Sequence, residues 1–190
     1  FYNEAIRFIR EHKAEPFFVY LPTYVPHGPC CIPDKSWLEP YLGKMPLWTA
    51  YFFASIARVD YNVGRLTKFL DDEGLADNTI LIFMTDNGTA GGQQVFNDGM
   101  RGRKGSQYDG GHRVPCFIRW PNGNLSKPKD VSRLTAHIDL LPTLIDLCDL
   151  EAPEGVEFDG ESLADWLRDV DVEVEERTLV VESQRIKIPE

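Results

Sequence analysis

An acidic and an amide side chain, Asp86 and Asn87, follow a wholly apolar run at residues 80–84, with Thr85 between the run and the pair. A continuous apolar run of this length predicts a strand buried on both faces, with the two polar side chains at its end. Carboxylate and amide oxygens are the ligands that a hard divalent cation prefers, which predicts a site for Ca²⁺ or Mg²⁺. Asp-Asn-Gly is also a common chain reversal, so a simple tight turn is the competing interpretation.

A glycine-rich loop with several cations follows the apolar run. Residues 88–111 contain eight of the chain's fifteen glycines, and Lys104 lies between Gly102 and Gly105. A flexible backbone lets an anion approach closely, and an ammonium group supplies a compact positive charge. Together with Arg101 and Arg103, this pattern favours a sulfate or phosphate site, although any single lysine is by default a solvated surface residue.

Two histidines and an arginine are further candidates for contact with an anion. His27 lies in a proline-rich loop after the apolar run at 17–21, and its imidazole could donate to an anionic oxygen or protonate a leaving group. His112 and Arg113 precede another apolar run and are candidate substrate contacts. The alternatives are a simply exposed His27 and an Arg113 that pairs with Asp109.

The elements that must position these residues alternate between helix and strand. Apolar residues at helical spacing predict helices over 1–13, 48–70, 139–147 and 159–168, and short apolar runs predict strands over 16–22, 79–85, 114–120 and 178–181. This order predicts an α/β fold with a mostly parallel sheet flanked by helices. In such sheets ligands gather outside the carboxyl ends of the strands, where we expect Asp86 and the loop after residue 21.

Composition excludes some classes of function. The 190 residues carry a formal net charge of −10, which argues against nucleic-acid binding because no basic face is visible. No apolar run approaches the roughly 20 residues that a membrane span needs. The four cysteines, of which Cys30 and Cys31 are adjacent, do not form a paired zinc-ligand pattern, although one disulfide bond is compatible with their spacing.

Several of these motifs in this order resemble the second half of a type I sulfatase, a member of the alkaline phosphatase-like superfamily. The resemblance spans nearly the whole chain. It rests on the apolar run at 17–21 followed by Pro26-His27, and on Thr85-Asp86-Asn87-Gly88, Arg101-Gly102-Arg103-Lys104-Gly105-Ser106, Gly110-Gly111-His112-Arg113-Val114-Pro115 and Asp139-Leu140-Leu141-Pro142-Thr143-Leu144.

The resemblance implies a role for each matching residue. Asp86 and Asn87 would be metal ligands, normally to Ca²⁺, Lys104 would contact the sulfate, and His27 would contact it or assist the leaving oxygen. The resemblance also implies a formylglycine nucleophile, expected in a missing N-terminal half together with the remaining metal ligands. The sequence at 31–35 is similar to the formylglycine motif but ends in lysine, and we interpret it as a coincidence.

The domain organisation also follows from the resemblance. Residues 1–150 would be the C-terminal part of the catalytic α/β domain, and 151–190 would continue toward a smaller C-terminal subdomain. The resemblance further implies a secreted, periplasmic or lysosomal protein. Because an incomplete sheet leaves edges and apolar faces uncovered, we expect self-association through those faces.

Three functions remain open at this level. The first is a sulfuric ester hydrolase acting on a small sulfate ester or a sulfated glycan, with this chain inactive by itself. The second is a phosphomonoesterase or phosphonate hydrolase of the same superfamily, because sulfate and phosphate are similar tetrahedral anions. The third is a non-catalytic fragment that binds sulfated glycans through Lys104 and His27.

Overall fold

The computed structural model describes residues 1–29, 34–123, 125, 128–168, 170 and 176–181. Cys30, Cys31 and most of the formylglycine-like sequence therefore lie outside the described residues. The described elements, in chain order, are α1 (Tyr2–His12), α2 (Leu47–Asp72), β1 (Leu81–Met84), α3 (Asp109–His112), β2 (Cys116–Arg119), α4 (Leu140–Leu147) and α5 (Ala164–Leu167), with short 3₁₀ turns between some of them.

The helices α1 and α2 confirm the two helices predicted for the first third of the chain. They pack through an apolar cluster that includes Ile9, Phe69 and Leu70. The helix α2 ends where Gly74 adopts a left-handed φ of 68°, and the Gly74 and Leu75 N–H groups donate back to the last turn. Glycine has no Cβ to oppose this conformation, so the predicted helix stop is confirmed.

Two apolar positions predicted for the buried face of α2 are exposed. Trp48 is 53% exposed and Ile56 is 40% exposed, whereas the smaller Ala50 and Ala54 are fully buried. The periodicity identified the helix correctly, but it did not specify which side of the apolar stripe is covered.

The segment 17–21 is not a strand, which corrects the sequence prediction. Within the described residues its backbone has no hydrogen-bonded partner strand. Phe17 and Val19 pack against the cluster between α1 and α2, whereas Phe18 and Tyr20 are 77% and 79% exposed. The segment therefore buries one face, not both.

The strands β1 and β2 form a two-stranded antiparallel pair, in which Leu81 lies opposite Arg119 and Met84 lies opposite Cys116. Both strands occur where the sequence predicts them, each two residues shorter at its start and one residue shorter at its end. They are not buried on both faces, since β1 is half-buried and Phe117 in β2 is 66% exposed. The mostly parallel sheet remains a prediction, because the pairing that the described residues contain is antiparallel.

The C-terminal part of the chain contains α4 and α5 but, in the described residues 176–181, no strand. Asp139 precedes α4 as predicted, but its carboxylate does not cap that helix. It accepts instead from the Ala136 and Glu161 backbone N–H groups, at 2.7 and 3.1 Å. The expected final strand over 178–181 and the expected helix cap are therefore both wrong.

The chain divides into two compact units. One comprises residues 1–76 and 85–115 and contains every candidate site residue, and the other comprises residues 77–84 and 116–190. None of the helices among the described residues has the length and apolar content that spanning a bilayer requires.

Candidate oxyanion and metal site

Backbone hydrogen bonds hold the later part of the glycine loop, residues 88–111, against the first two residues of the loop, which directly follow Asp86 and Asn87. The Gly88 N–H donates to the Gly111 carbonyl at 2.9 Å, and the Lys104 N–H donates to the Thr89 carbonyl at 2.9 Å. Gly88 is the residue after Asn87, and Lys104 itself is the donor of the hydrogen bond to Thr89. The backbone positions of the predicted metal ligands and the predicted anion-binding lysine are thus brought together.

Glycine is required at Gly88 because no side chain fits there. A Cβ built on Gly88 would overlap the carbonyl group of Gly110 and lie 3.1 Å from the carbonyl carbon of Gly111. These are backbone atoms, which cannot rotate away as a flexible side chain can. Because Gly88 has no side chain, residues 110 and 111 can pack directly on the segment that contains Asp86.

Lys104 occupies the second position of a tight turn from Arg103 to Ser106. The Ser106 N–H donates to the Arg103 carbonyl at 2.9 Å, and the Arg103 N–H donates to Ser106 Oγ at 3.1 Å. Gly105 follows Lys104 with a φ of 88°, as the third position of a type II turn requires. The turn therefore fixes the Lys104 backbone at both flanks.

The side chains of Asp86, Asn87 and Lys104 are available to a ligand. Within the part of the chain that the structure describes, none of the three makes a hydrogen bond or an ion pair. Asp86 is exposed and Asn87 is half-buried. Whether the oxygens and the amine converge on one pocket remains a prediction.

The chemistry of the two oxygen donors fits part of a Ca²⁺ shell. A carboxylate and an amide carbonyl are hard donors, and neither oxygen is used by the protein among the described residues. Ca²⁺ takes about 6–8 oxygens, and the described residues contain no group of three or more acidic, histidine or cysteine side chains that could hold an ion. Asp86 and Asn87 therefore fit the ion only as contributors to a larger ligand set.

His27 is organised within its own loop. Its Nδ1 donates to the Gly28 carbonyl at 2.8 Å, and the Tyr24 ring lies 5.6 Å from the imidazole ring. With Nδ1 used in this way, Nε2 is the atom left for an external oxygen, and it can donate only when the imidazole is doubly protonated. No contact among the described residues joins His27 to Asp86 or Lys104, so its place beside them remains a prediction.

His112 and Arg113 lie at the end of the short helix α3, which replaces the expected loop. His112 Nε2 donates to the Gln107 carbonyl at 3.1 Å, and the Arg113 N–H donates to the Asp109 carbonyl at 2.8 Å. The alternative ion pair between the Arg113 guanidinium and the Asp109 carboxylate is absent from the described residues. Both side chains are exposed, and their contact with substrate remains a prediction.

Arg101 has an aromatic platform that the sequence did not reveal. Its guanidinium carbon lies 3.7 Å from the centre of the Tyr108 ring, the distance of a close cation–π contact. The Gly110 N–H donates to the Arg101 carbonyl at 2.8 Å, so the backbone of Arg101 is fixed as well. The seven-residue separation of arginine and tyrosine within a loop gives no periodic signal, which is why sequence reasoning missed the pair.

A buried ion pair in the other unit was also missed. Asp139 is completely buried, and Arg177 donates to it at 2.9 Å through one guanidinium nitrogen and at 2.5 Å through the other. Burial by itself would raise the pKa of Asp139, but hydrogen bonds from Arg177, Ala136 and Glu161 outweigh it and hold that pKa below its usual value. The partners are 38 residues apart, and no local pattern predicts such a pairing.

A glycine-rich loop with cations, together with hard oxygen donors, is an arrangement suited to a tetrahedral oxyanion. The family model for sulfatases matches residues 1–150. The chain therefore belongs to the sulfatase family.

Individual relatives agree with this assignment. Over 176 residues the chain is 34% identical to an N-acetylgalactosamine-6-O-sulfatase of Bacteroides thetaiotaomicron, covering 84% of this chain and 32% of the relative. A crystal structure of Ps i-CgsB in complex with a neocarrahexaose is similar with a TM-score of 0.78 and 28% identity, over 88% of this chain and 38% of that one.

A phosphonate monoester hydrolase of Agrobacterium radiobacter is also similar. Its TM-score is 0.54 at 32% identity, and the match covers 67% of this chain and 24% of that one. The first curated relatives are much longer than this chain, which spans 27–32% of the first four.

Proposed function

We propose that this chain is part of a sulfuric ester hydrolase and that its glycine loop binds the sulfate group of the substrate. The observation that carries the proposal is the pinned turn at Lys104, which is hydrogen-bonded to Thr89 three residues after Asp86. In the described part of the chain the ammonium group has no anionic partner, so it is available to a sulfuryl oxygen. Membership of the sulfatase family supports sulfate as that anion.

His27 would act on the oxygen that leaves with the alcohol. Because its Nδ1 is held by the Gly28 carbonyl, the proton to be transferred would reside on Nε2. An imidazolium at that position can donate a hydrogen bond to an anionic oxygen first and give up its proton as the ester bond breaks. Lys104 would meanwhile stabilise the negative charge that develops on the sulfuryl oxygens.

Asp86 and Asn87 would hold Ca²⁺ with further ligands from outside the described residues. When bound, the ion supplies positive charge next to the sulfate group and so lowers the cost of charge build-up there. The contribution of this chain is to present one carboxylate and one amide oxygen on a segment whose next two residues, Gly88 and Thr89, are fixed to the glycine loop.

The nucleophile, a formylglycine in the proposed enzyme, would come from residues outside this chain. The length of the curated relatives, of which this chain spans about a third, supports this part of the proposal. We therefore expect the isolated chain to bind sulfate esters but not to turn them over. Turnover of an aryl sulfate by purified material of this exact length, with mass spectrometry excluding a longer species, would contradict this expectation.

Binding of a monosulfated disaccharide, measured by calorimetry with and without Ca²⁺, tests the sulfate site. Loss of a charge-assisted hydrogen bond costs about 1.5–3 kcal/mol, so Lys104→Ala should weaken binding by roughly 10- to 150-fold. Lys44→Ala is the matched control, because Lys44 is exposed, lies in the same unit and has no ion pair among the described residues. Equal effects of the two substitutions would exclude Lys104 from the site.

The calcium dependence separates the enzyme from a binding module. If Asp86 and Asn87 hold the ion beside the sulfate, Asp86→Ala and a chelator should each weaken binding of the disaccharide, and together they should do no more than either alone. Binding that depends on Lys104 but is insensitive to both would favour the non-catalytic sulfated-glycan fragment.

The second candidate is a phosphonate or phosphate ester hydrolase. The specific observation in its favour is the 32% identity to the phosphonate monoester hydrolase. Tighter binding of a phosphonate monoester than of the matched sulfate ester, with the same loss in Lys104→Ala, would favour this candidate.

We propose that the site acts on sulfated glycans in a secreted, periplasmic or lysosomal setting. The support is the glycan named for two of the similar proteins, a galactosamine sulfate and a carrageenan oligosaccharide. Residues 1–150 would belong to the catalytic domain and 151–190 to its continuation. Exposed apolar side chains such as Phe18, Tyr20 and Phe117 support self-association when this chain is isolated.

A further inference from the structure

Several cations of this acidic chain form ion pairs within the chain. With 30 acidic and 20 basic residues, a positive side chain readily finds a carboxylate. Ion pairs among the described residues join Arg7 to Glu4, Arg10 and Lys13 to Glu73, Lys68 to Asp72, Arg133 to Glu161, and Arg177 to Asp139.

The three cations of the glycine loop are not neutralised in this way by any of the described residues. Within the described residues, Arg101, Arg103 and Lys104 have no ion pair, although Asp98 and Asp109 belong to the same loop. Arg101 and Arg103 are exposed and Lys104 is half-buried. One monoanionic sulfate would neutralise the charge of Lys104 and leave two guanidinium groups unpaired.

The backbone of both arginines is fixed in place. Arg103 begins the turn that presents Lys104, so their Cα atoms are about 3.8 Å apart and the turn is closed from both sides by Ser106. Arg101 lies on the Tyr108 ring, which holds the guanidinium plane and leaves its N–H groups at the edge free to donate. A preoriented guanidinium suits bidentate recognition of an oxyanion.

We propose that Arg101 and Arg103 form a second anion subsite beside Lys104, so that the substrate is a glycan with at least two anionic groups. This inference rests on the proposed function, because it assigns Lys104 to the sulfate that is cleaved. The second group is a sulfate or a carboxylate on the same or the adjoining sugar, since both are planar or tetrahedral oxyanions that match the arginine fork.

The test compares disaccharides that differ only in their second anion. Calorimetry at low salt measures the affinity of this chain for a neutral disaccharide with one sulfate, its disulfated form, and a form with one sulfate and one carboxylate. A second sulfate by itself raises the affinity by a statistical factor of two. We expect at least one dianion to bind about tenfold more tightly than the monosulfated disaccharide, and we expect this preference to decrease as salt is added.

Substitutions then assign the preference to the two arginines. Arg103→Gln should reduce the tenfold preference to about two- to threefold, because it should weaken binding of the dianion more than binding of the monosulfated disaccharide. Tyr108→Leu should also reduce the preference by removing the platform under Arg101, whereas Tyr108→Phe should retain it. Lys44→Gln, which removes a charge outside the loop, should change neither quantity.

The outcomes distinguish this inference from the proposed function. The second subsite is refuted if the unsubstituted chain binds the dianions only about twofold more tightly than the monosulfated disaccharide, or if Arg103→Gln weakens binding of all ligands equally. In either case the sulfate site at Lys104 stands. If no ligand binds, both are refuted. A preference confined to the disulfated form, or to the form with a carboxylate, supports the subsite and identifies its anion.

Discussion

Substitution of Gly88 by alanine tests whether the glycine loop must pack directly on the Asp86 segment. Gly88 has no positive φ, so an added methyl group acts through space alone. Because that methyl would overlap the Gly110 carbonyl, the loop must move, with an overpacking cost of about 1–3 kcal/mol. The hydrogen bond from Gly88 to Gly111 is worth about 1 kcal/mol more, so we expect a loss of roughly 2–4 kcal/mol.

Gly64→Ala is the matched control for this substitution. Gly64 lies inside α2, and a Cβ there meets no atom within 4 Å. The same chemical change should therefore stabilise the chain by about 0.4–1 kcal/mol. Urea unfolding of both variants, followed by tryptophan fluorescence, measures the two free energies of unfolding.

Binding of the sulfated ligand should also depend on the packing of the glycine loop. Gly88→Ala should weaken binding of the monosulfated disaccharide, because Asp86 and Lys104 lie on the two segments that the substitution separates. Gly64→Ala should leave that binding unchanged. If Gly88→Ala is as stable as Gly64→Ala and binds the disaccharide equally well, the close packing described here is refuted.

Three further predictions concern stability and backbone exposure. Asp139→Asn should cost about 3–5 kcal/mol, because it leaves the Arg177 guanidinium without its buried partner; a loss below 1 kcal/mol in urea unfolding would contradict this. Because the pKa of Asp139 is lowered by folding, its stabilising effect is complete above the unfolded-state pKa near 4 and is lost as pH falls through the lower folded value, so unfolding measured from pH 5 to 2 should show a decline that Asp139→Asn lacks. The amides of residues 17–21 should exchange with solvent much faster than those of the middle of α2, since no backbone partner protects them in the described residues; slow exchange measured by NMR would reveal a partner strand.

The local elements followed from the sequence because their causes are local. The apolar spacing of α2 and the glycine after its last turn are sufficient to specify a helix and its end, and both were confirmed. The positions of β1 and β2 were also predictable from short apolar runs. The resemblance to sulfatases was equally local in origin, since it depended on short motifs in a fixed order, and the family match over residues 1–150 confirmed the family.

The burial of side chains and the pairing of strands could not be predicted from the sequence, because they depend on what lies opposite an element. The run at 17–21 has the composition of a buried strand, yet Phe18 and Tyr20 are exposed and no partner strand adjoins the segment in the described residues. The pairing of β1 with β2 is antiparallel, a property that the composition of either strand leaves undetermined. Asp139 illustrates the same limit, since a residue with the sequence signature of a helix cap is used in a buried ion pair.

The amino-acid sequence by itself determined the chemical groups of the candidate site and their order along the chain: hard oxygens at Asp86 and Asn87, an ammonium at Lys104 and an imidazole at His27. Only the tertiary structure decided how the backbone segments that carry them are connected. The bonds from Gly88 to Gly111 and from Lys104 to Thr89 tie the backbone that follows Asp86 and Asn87 to the rest of the loop and to Lys104, whereas the imidazole of His27 bonds to the Gly28 carbonyl within its own loop. The physical reason is that side-chain chemistry is encoded residue by residue, while proximity depends on backbone groups satisfying one another across long separations in sequence.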